Sequence, residues 1–228
     1  MKQSPQAQGN ARTQPVRIEP RWPVACTVLA VLFLLTLLRS RARLFPFWLA
    51  YAIAMALLLP MAGVWLSGAR VWWLRLERIT TLCSSLMVEI ITLRNVWFLV
   101  LEIVERPMSL SGRQLLTSSI AAWVANILAF SLVYWQIDRG GPEARANSAG
   151  LKPDWLFPQS AASDQIPADW QPTFTDYLFL SFSTATAFSP TDTLPLTTRA
   201  KMLMMIESAV SLATLVIVAS RAINTLGS

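Results

Sequence analysis

Apolar residues run along this chain in long stretches, and polar residues collect in the connectors between them. Five stretches read as membrane spans: Trp22 to Leu38, Leu44 to Leu66, Thr80 to Val104, Gly112 to Gln136 and Ala200 to Ser220. A transmembrane helix needs roughly 20 predominantly apolar residues. Helix also satisfies every backbone polar group internally, as hydrocarbon requires. The pattern therefore predicts an all-α fold, a polytopic membrane bundle of five transmembrane helices. Trp48, Trp65, Tyr134 and Trp135 stand at span ends, where aromatic rings anchor in the headgroup region. Pro60 lies in the last third of the second span, where it is expected to kink the helix.

A sixth element breaks the pattern. Asp176 to Thr186 is amphipathic, with Tyr177, Leu178, Phe179, Leu180 and Phe182 mixed among Ser181, Ser183, Thr184 and Thr186. It is too short to cross a bilayer. A compact polar turn, Ser189-Pro190-Thr191-Asp192, separates it from the final span. Half-length helix, polar turn and full span is the order of a re-entrant loop, whose non-helical backbone must be satisfied by protein or by a water-filled cavity. The other reading is the outer end of a loop resting on the membrane surface. Asp176 is expected to cap the short helix, and Pro172 discourages helix before it.

These elements divide the chain into a disordered tail over 1–20, an N-terminal transmembrane region over 21–108, and a channel-like region over 109–228. The tail is polar and has little to pack. The first span has the basic flank of a signal peptide but no small-residue cleavage site followed by a soluble domain, so a retained anchor is expected. The third span carries Glu89, Arg94, Asn95 and Glu102, which keeps a four-span alternative open. In that alternative residues 80–104 are peripheral and the N-terminus lies inside.

Composition agrees with a membrane protein: 54% of residues are hydrophobic and 14% charged, against about 25% charged in soluble domains. The net charge of +6 sits at span ends, so it reads as a topology signal and not as a nucleic-acid surface. With five spans, an external N-terminus places Arg39, Arg41, Arg43, Arg106, Arg113 and Arg221 on the cytoplasmic side, together with the C-terminus. Arg70, Arg75 and Arg78 then fall outside, which a bent or partly interfacial segment with Trp72 and Trp73 at the headgroups would accommodate.

Across the last 110 or so residues the order of elements resembles the pore domain of the tetrameric potassium-channel superfamily. Gly112 to Gln136 is similar to the outer helix, Asp138 to Thr173 to the turret, Asp176 to Thr186 to the pore helix, and Ala200 to Ala222 to the inner helix. Thr184, Ala185 and Thr186 match the hydroxyl-rich approach to the filter, and Asp192 and Pro195 the acid and proline beyond it. Where that family has Thr-Val-Gly-Tyr-Gly, this chain has Ala187-Phe188-Ser189-Pro190-Thr191. A ladder of backbone carbonyls gives potassium selectivity. Without the glycines, and with Pro190 fixing its own φ and restricting Ser189, a filter of that shape is not expected. YWQIDRGGPEAR, DWLFPQ, ATAFSPTDT and PLTTRAK also resemble an uncharacterised family of bacterial inner-membrane proteins with a channel-like C-terminal module. The resemblance implies a multi-pass protein of the bacterial inner membrane. It further implies a homotetramer passing monovalent ions around a turn of Thr186, Ala187, Phe188, Ser189, Pro190, Thr191 and Asp192, weakly selective or selecting an ion other than potassium. The alternative is a non-conducting structural or interaction protein on a channel-derived framework.

Charged groups inside spans usually face a partner or an aqueous cavity. Glu207, about two turns into the final span, is the leading candidate, either supporting the turn through Ser189 or Thr191 or braced by Asn126 or Lys201. Glu89 and Arg94 are five apart, off one helix face, and are expected to brace other spans, as is Asn126. Cys26 and Cys83 lie in or near hydrocarbon, where no disulfide is expected. With no histidine and two isolated cysteines, neither a metal site nor a cofactor is expected. No nucleotide, zinc-hydrolase or serine-hydrolase motif occurs, so no enzyme is expected either. The loop from Asp138 to Pro172 is long for a structureless connection. Its Trp155-Leu156-Phe157 cluster and Trp170 are expected to fold it into a cap, since they would otherwise expose an apolar patch. A flexible tether touching the headgroups is the alternative.

Overall fold

The computed structural model describes residues 19–37, 48–67, 70–105, 112–147, 151–160, 167, 170–186 and 192–226. They form seven α-helices: α1 (Trp22–Leu37), α2 (Trp48–Ser67), α3 (Val71–Glu105), α4 (Gly112–Ile137), α5 (Pro142–Ala146), α6 (Phe174–Thr186) and α7 (Thr198–Leu226). The fold is all-α apart from one two-residue ladder between β1 (Trp155–Leu156) and β2 (Leu194–Pro195). Three segments, Val71–Leu101, Leu116–Gly140 and Thr198–Ile217, are long and apolar enough to cross a membrane, and shorter apolar helices cover Trp22–Leu34 and Tyr51–Ser67. α2 continues through Pro60 to Ser67.

α4 is the central helix and packs against α1, α3, α6 and α7. Its small residues Ala121, Ala122, Ala125 and Ala129 are buried, and small side chains let helix backbones approach closely where lipid supplies no hydrophobic drive. Val24 and Val28 of α1, Ile53 and Leu57 of α2, Val88 of α3 and Ala125 and Phe130 of α4 share one core.

The outside of this bundle is more apolar than much of its inside. On α3, Leu86, Ile90, Leu93 and Trp97 are exposed, whereas Glu77, Thr81, Ser84, Ser85, Glu89 and Thr92 are buried. α7 repeats the inversion, with Met205, Leu212 and Val216 outward and Glu207, Ser211 and Thr214 inward. In water such apolar faces would demand a partner; in lipid they are the solvent-facing surface.

The 35 residues of α3 rise about 52 Å, well beyond a hydrocarbon core of about 30 Å. The helix is continuous from Val71, so residues Val71 to Arg78 are part of α3 itself. Their charges meet protein. Arg78 Nη1 donates to the Gly140 carbonyl at 2.9 Å, and Glu77 receives Arg21 at 3.1 and 3.2 Å.

The connection after α4 is a packed cap. Arg139, Gly140 and Gly141 have φ of 50°, 82° and 109°, a left-handed run that glycine permits and that turns the chain into α5. β1 pairs antiparallel with β2, Trp155 opposite Pro195 and Leu156 opposite Leu194. Trp155 and Phe157 are buried against Tyr177, with ring centroids 6.4 and 5.4 Å away, and Trp170 lies 6.1 Å from Phe157. The cluster therefore packs on protein and not on headgroups. Tyr134 and Trp135 correct the aromatic-belt expectation: both are fully buried, while Trp48 and Trp65 are exposed as expected.

Candidate functional site

α6 begins at Phe174, two residues before the expected start, and Asp176 is its third residue instead of its cap. Thr173 precedes the helix and donates to Asp176 Oδ2 through its backbone N–H at 2.7 Å and its hydroxyl at 2.9 Å. This is the acidic half of a capping box. The Phe174 N–H is taken by Glu19 Oε1 at 2.7 Å, a carboxylate placed where a helix N-terminus favours negative charge. Glu19 Oε2 also accepts from Trp135 Nε1 at 2.9 Å, so one glutamate joins the start of α6 to the end of α4.

From there α6 runs into the bundle between α4 and α7. Near its far end, the Ala185 carbonyl accepts from Trp123 Nε1 at 3.5 Å and the Thr184 carbonyl from Ser208 Oγ at 3.3 Å. Ser208 lies ten residues into α7, about 15 Å along its axis. Shortly afterwards the chain is again at the cap, where the Leu196 N–H donates to the Asp154 carbonyl at 2.7 Å. Thr186 closes α6, its hydroxyl donating to the Phe182 carbonyl at 3.0 Å. Asp192 is exposed. Ala187, Phe188, Ser189, Pro190 and Thr191 lie outside the described residues.

Glu207 sits where α4, α6 and α7 meet and is fully buried. Tyr134 donates its hydroxyl to Glu207 Oε2, and Ser181 Oγ bonds Glu207 Oε1. Ser181 Oγ also bonds the Ile127 carbonyl at 2.7 Å. A serine hydroxyl carries one proton, so both Ser181 contacts are hydrogen bonds at once only when Glu207 Oε1 carries a proton of its own. Asn126 reaches Glu207 differently from the expectation. Its Nδ2 donates to the backbone carbonyl of Glu207 at 3.3 Å and to Ser211 Oγ at 2.8 Å. Lys201 is exposed. Sequence reading found Glu207 and Asn126 but missed Tyr134 and Ser181, whose partners are 73 and 26 residues away.

Comparison with protein-family models, curated proteins and solved structures found no match.

Glu89 is 9% exposed, and both of its carboxylate oxygens lack a hydrogen-bond partner. It stands within electrostatic range of Glu207 and Tyr134. On the same helix the Thr81, Ser85 and Thr92 hydroxyls and Asn95 Nδ2 are also buried without partners, as is Asn126 Oδ1 on α4. A buried unpaired polar group costs about 1–3 kcal/mol, and a whole domain is stable by only about 5–15 kcal/mol. Leaving so many groups dry would consume most of that stability. Arg94 is not Glu89's partner in an ion pair; its guanidinium lies over the Phe98 ring at 5.3 Å.

A second charged network closes the cap end. Asp138 is fully buried and receives the Asp154 N–H at 2.7 Å and the Tyr177 hydroxyl at 2.5 Å. Asp154 in turn receives Thr197 Oγ1 and Arg199 Nε, both at 2.6 Å. Arg145 donates to the Trp135 and Asp138 carbonyls at 2.7 and 3.0 Å and lies over Tyr177. Arg21 bridges Glu77 and Glu143. Burial alone would lower the pKa of Arg21, but Glu77 and Glu143 outweigh it and raise the pKa above the ordinary arginine value. Among the described residues no group of three His, Cys, Asp or Glu is placed to hold a metal ion.

Proposed function

We propose that this chain is a multi-pass membrane protein whose α4, cap, α6 and α7 form a re-entrant pore module. Copies of it assemble, as a tetramer, around the turn from Thr186 to Asp192. The carrying observation is the course of α6. It starts at the cap beside Glu19, reaches the level of Trp123 and Ser208, and is followed by a strand that pairs back at the cap. A half-length helix in that position needs a path or a plug on its far side, since non-helical backbone at membrane depth must be satisfied there. The hydroxyls of Thr186, Ser189 and Thr191 and the carboxylate of Asp192 are the groups offered to an ion. The missing filter glycines make that ion flux weakly selective. The N-terminus and the cap face outward and the C-terminus faces the cytoplasm, following the positive connectors.

The test is planar-bilayer recording of the purified protein alongside its mass in detergent and crosslinking in native membranes. Tetramers with single-channel currents altered by Thr191→Ala or Asp192→Asn are expected. Monomers in both mass and crosslinking sink the assembly, and silence over wide voltage, pH and ion ranges sinks conduction. Silence would leave the second reading, a non-conducting framework. The observation on its side is that Glu207, the intramembrane acid expected to support the turn, is engaged by Tyr134 and Ser181 of its own protomer.

A further inference from the structure

The polar face of α3 has no role in that pore reading, and it does not depend on it. Thr81, Ser85, Glu89, Thr92 and Asn95 recur at helical spacing on one face. The run covers 15 residues, about 21 Å of helix from first to last, or about two-thirds of a hydrocarbon core of about 30 Å. Thr81 and Thr92 are fully buried and Ser85 nearly so, yet each keeps an unpartnered hydroxyl, and Glu89 keeps two unpartnered oxygens. Across from them Asn126 Oδ1 is unpartnered as well. The three hydroxyls can donate or accept, the Glu89 oxygens and Asn126 Oδ1 accept, and Asn95 Nδ2 donates. Water fits a site that is polar and offers several partners.

We propose that this face is a water-filled seam inside each protomer and that Glu89 is a proton-exchanging site within it. A hydronium ion in the seam passes its proton to a Glu89 carboxylate oxygen and is left as water; the reverse step returns it. The neighbours that face Glu89 suit this exchange. α7 contributes Glu207 and α4 contributes Tyr134, both held by other bonds. α2 brings no charged residue, and on α3 itself Arg94 is turned to Phe98. Among the described residues no cation is bonded to the Glu89 carboxylate, so a proton supplied through water is what can neutralise it.

Cysteine accessibility in native membranes tests the seam. In the full chain with Cys26 and Cys83 replaced by alanine, Ser85→Cys and Thr92→Cys are compared with Leu86→Cys, a neighbour exposed on the apolar face. The probe is the water-soluble reagent methanethiosulfonate-ethylammonium, which needs a hydrated thiolate. The seam cysteines should react at least about tenfold faster than the control. Equal slowness at all three positions means a dry interface and overturns the proposal. Equal speed at all three means an opened bundle and overturns it too. A second measurement needs no cysteine substitution in the seam. Dicyclohexylcarbodiimide enters membranes and adds to protonated carboxyl groups, and mass spectrometry then locates the adduct. The unaltered protein should be modified at Glu89, and Glu89→Gln should lose that adduct. An unaltered protein left unmodified at Glu89 across the pH range in which it stays folded would overturn the proton-exchange role.

Discussion

Glu207 and Glu89 are carboxylates buried in neighbouring helices of one bundle, and their surroundings differ in kind. Glu207 is held by a tyrosine from α4 and a serine from α6, so both of its oxygens are engaged. Glu89 has neither oxygen engaged and shares its helix face with further unpaired hydroxyls. A third buried carboxylate, Glu77, takes the ordinary solution of a guanidinium, Arg21, at 3.1 and 3.2 Å. Burial alone therefore says little about what an intramembrane acid does. The partners decide: Glu207 joins three helices, Glu77 ties α3 to the entry of α1, and Glu89 is left for water.

The largest effect expected is at Glu207. Replacing it by alanine strands the Tyr134 hydroxyl, takes one of the two partners of Ser181 and opens a cavity, at a cost of about 3–5 kcal/mol. Thermal unfolding of the solubilised protein reads this directly. Glu207→Gln should stay within about 1 kcal/mol of the parent, because an amide donates to Ser181 and accepts from Tyr134. A glutamine variant as unstable as the alanine one would mean that charge, and not hydrogen bonding, holds the junction.

Arg21→Ala comes next. It leaves Glu77 buried and unpaired, and about 2–3 kcal/mol should be lost, less than for a wholly internal pair because the cap end lies nearer water. The raised pKa of Arg21 makes this contribution complete below the ordinary arginine range and lost as pH rises through the folded-state value. Arg21 is charged in both folded and unfolded chains from about pH 7 to about pH 10, so its own titration should not close the gap between parent and variant there. A gap that closes within that window would assign the stabilisation to some other group.

Ser181→Ala removes a single hydroxyl at the Glu207 junction and should cost about 1–2 kcal/mol. It should cost less in the Glu207→Ala background, where only the bond to the Ile127 carbonyl remains to be lost, and a double-mutant cycle measures the difference. The smallest effect is at Glu89. Glu89→Met trades an unpaired carboxylate for an apolar side chain of similar size, so stability should hold or rise by up to about 1 kcal/mol. A large loss there would show that Glu89 braces the bundle as Glu207 does, and the contrast between them would collapse.

Sequence reading reached these residues unevenly. Glu207, Glu89 and Asn126 were visible because a polar residue in an apolar run is conspicuous without any knowledge of neighbours. Tyr134 was read as a headgroup anchor, since a tyrosine at a span end usually is one; what cancels that role is the cap folding over it, with Trp155 at a ring distance of 4.7 Å. Asp138, Asp154, Arg145 and Arg199 passed as ordinary loop and span-end charges. Asp138, Asp154 and Arg145 are buried, and the exposed Arg199 bonds Asp154, where β1 and β2 bring segments about 40 residues apart into register. The pore turn stood out through Pro190 and the absent glycines, and its residues 187–191 lie outside the described part of the fold.

What the amino-acid order determined by itself was helix, number and placement of apolar runs, and the half-length of α6. These depend on hydrophobicity summed over about 20 neighbouring residues and on local backbone chemistry such as Thr173 with Asp176. Tertiary structure alone decided which buried polar group has a partner. Hydrogen bonds act over about 3 Å, and the partners of Glu207 come from two other helices, so no window of sequence contains them. The same holds for the unpaired state of Glu89. The chain shows an acid in a span, and only the packing of α3 against α2, α4 and α7 leaves neither of its oxygens with a hydrogen-bond partner.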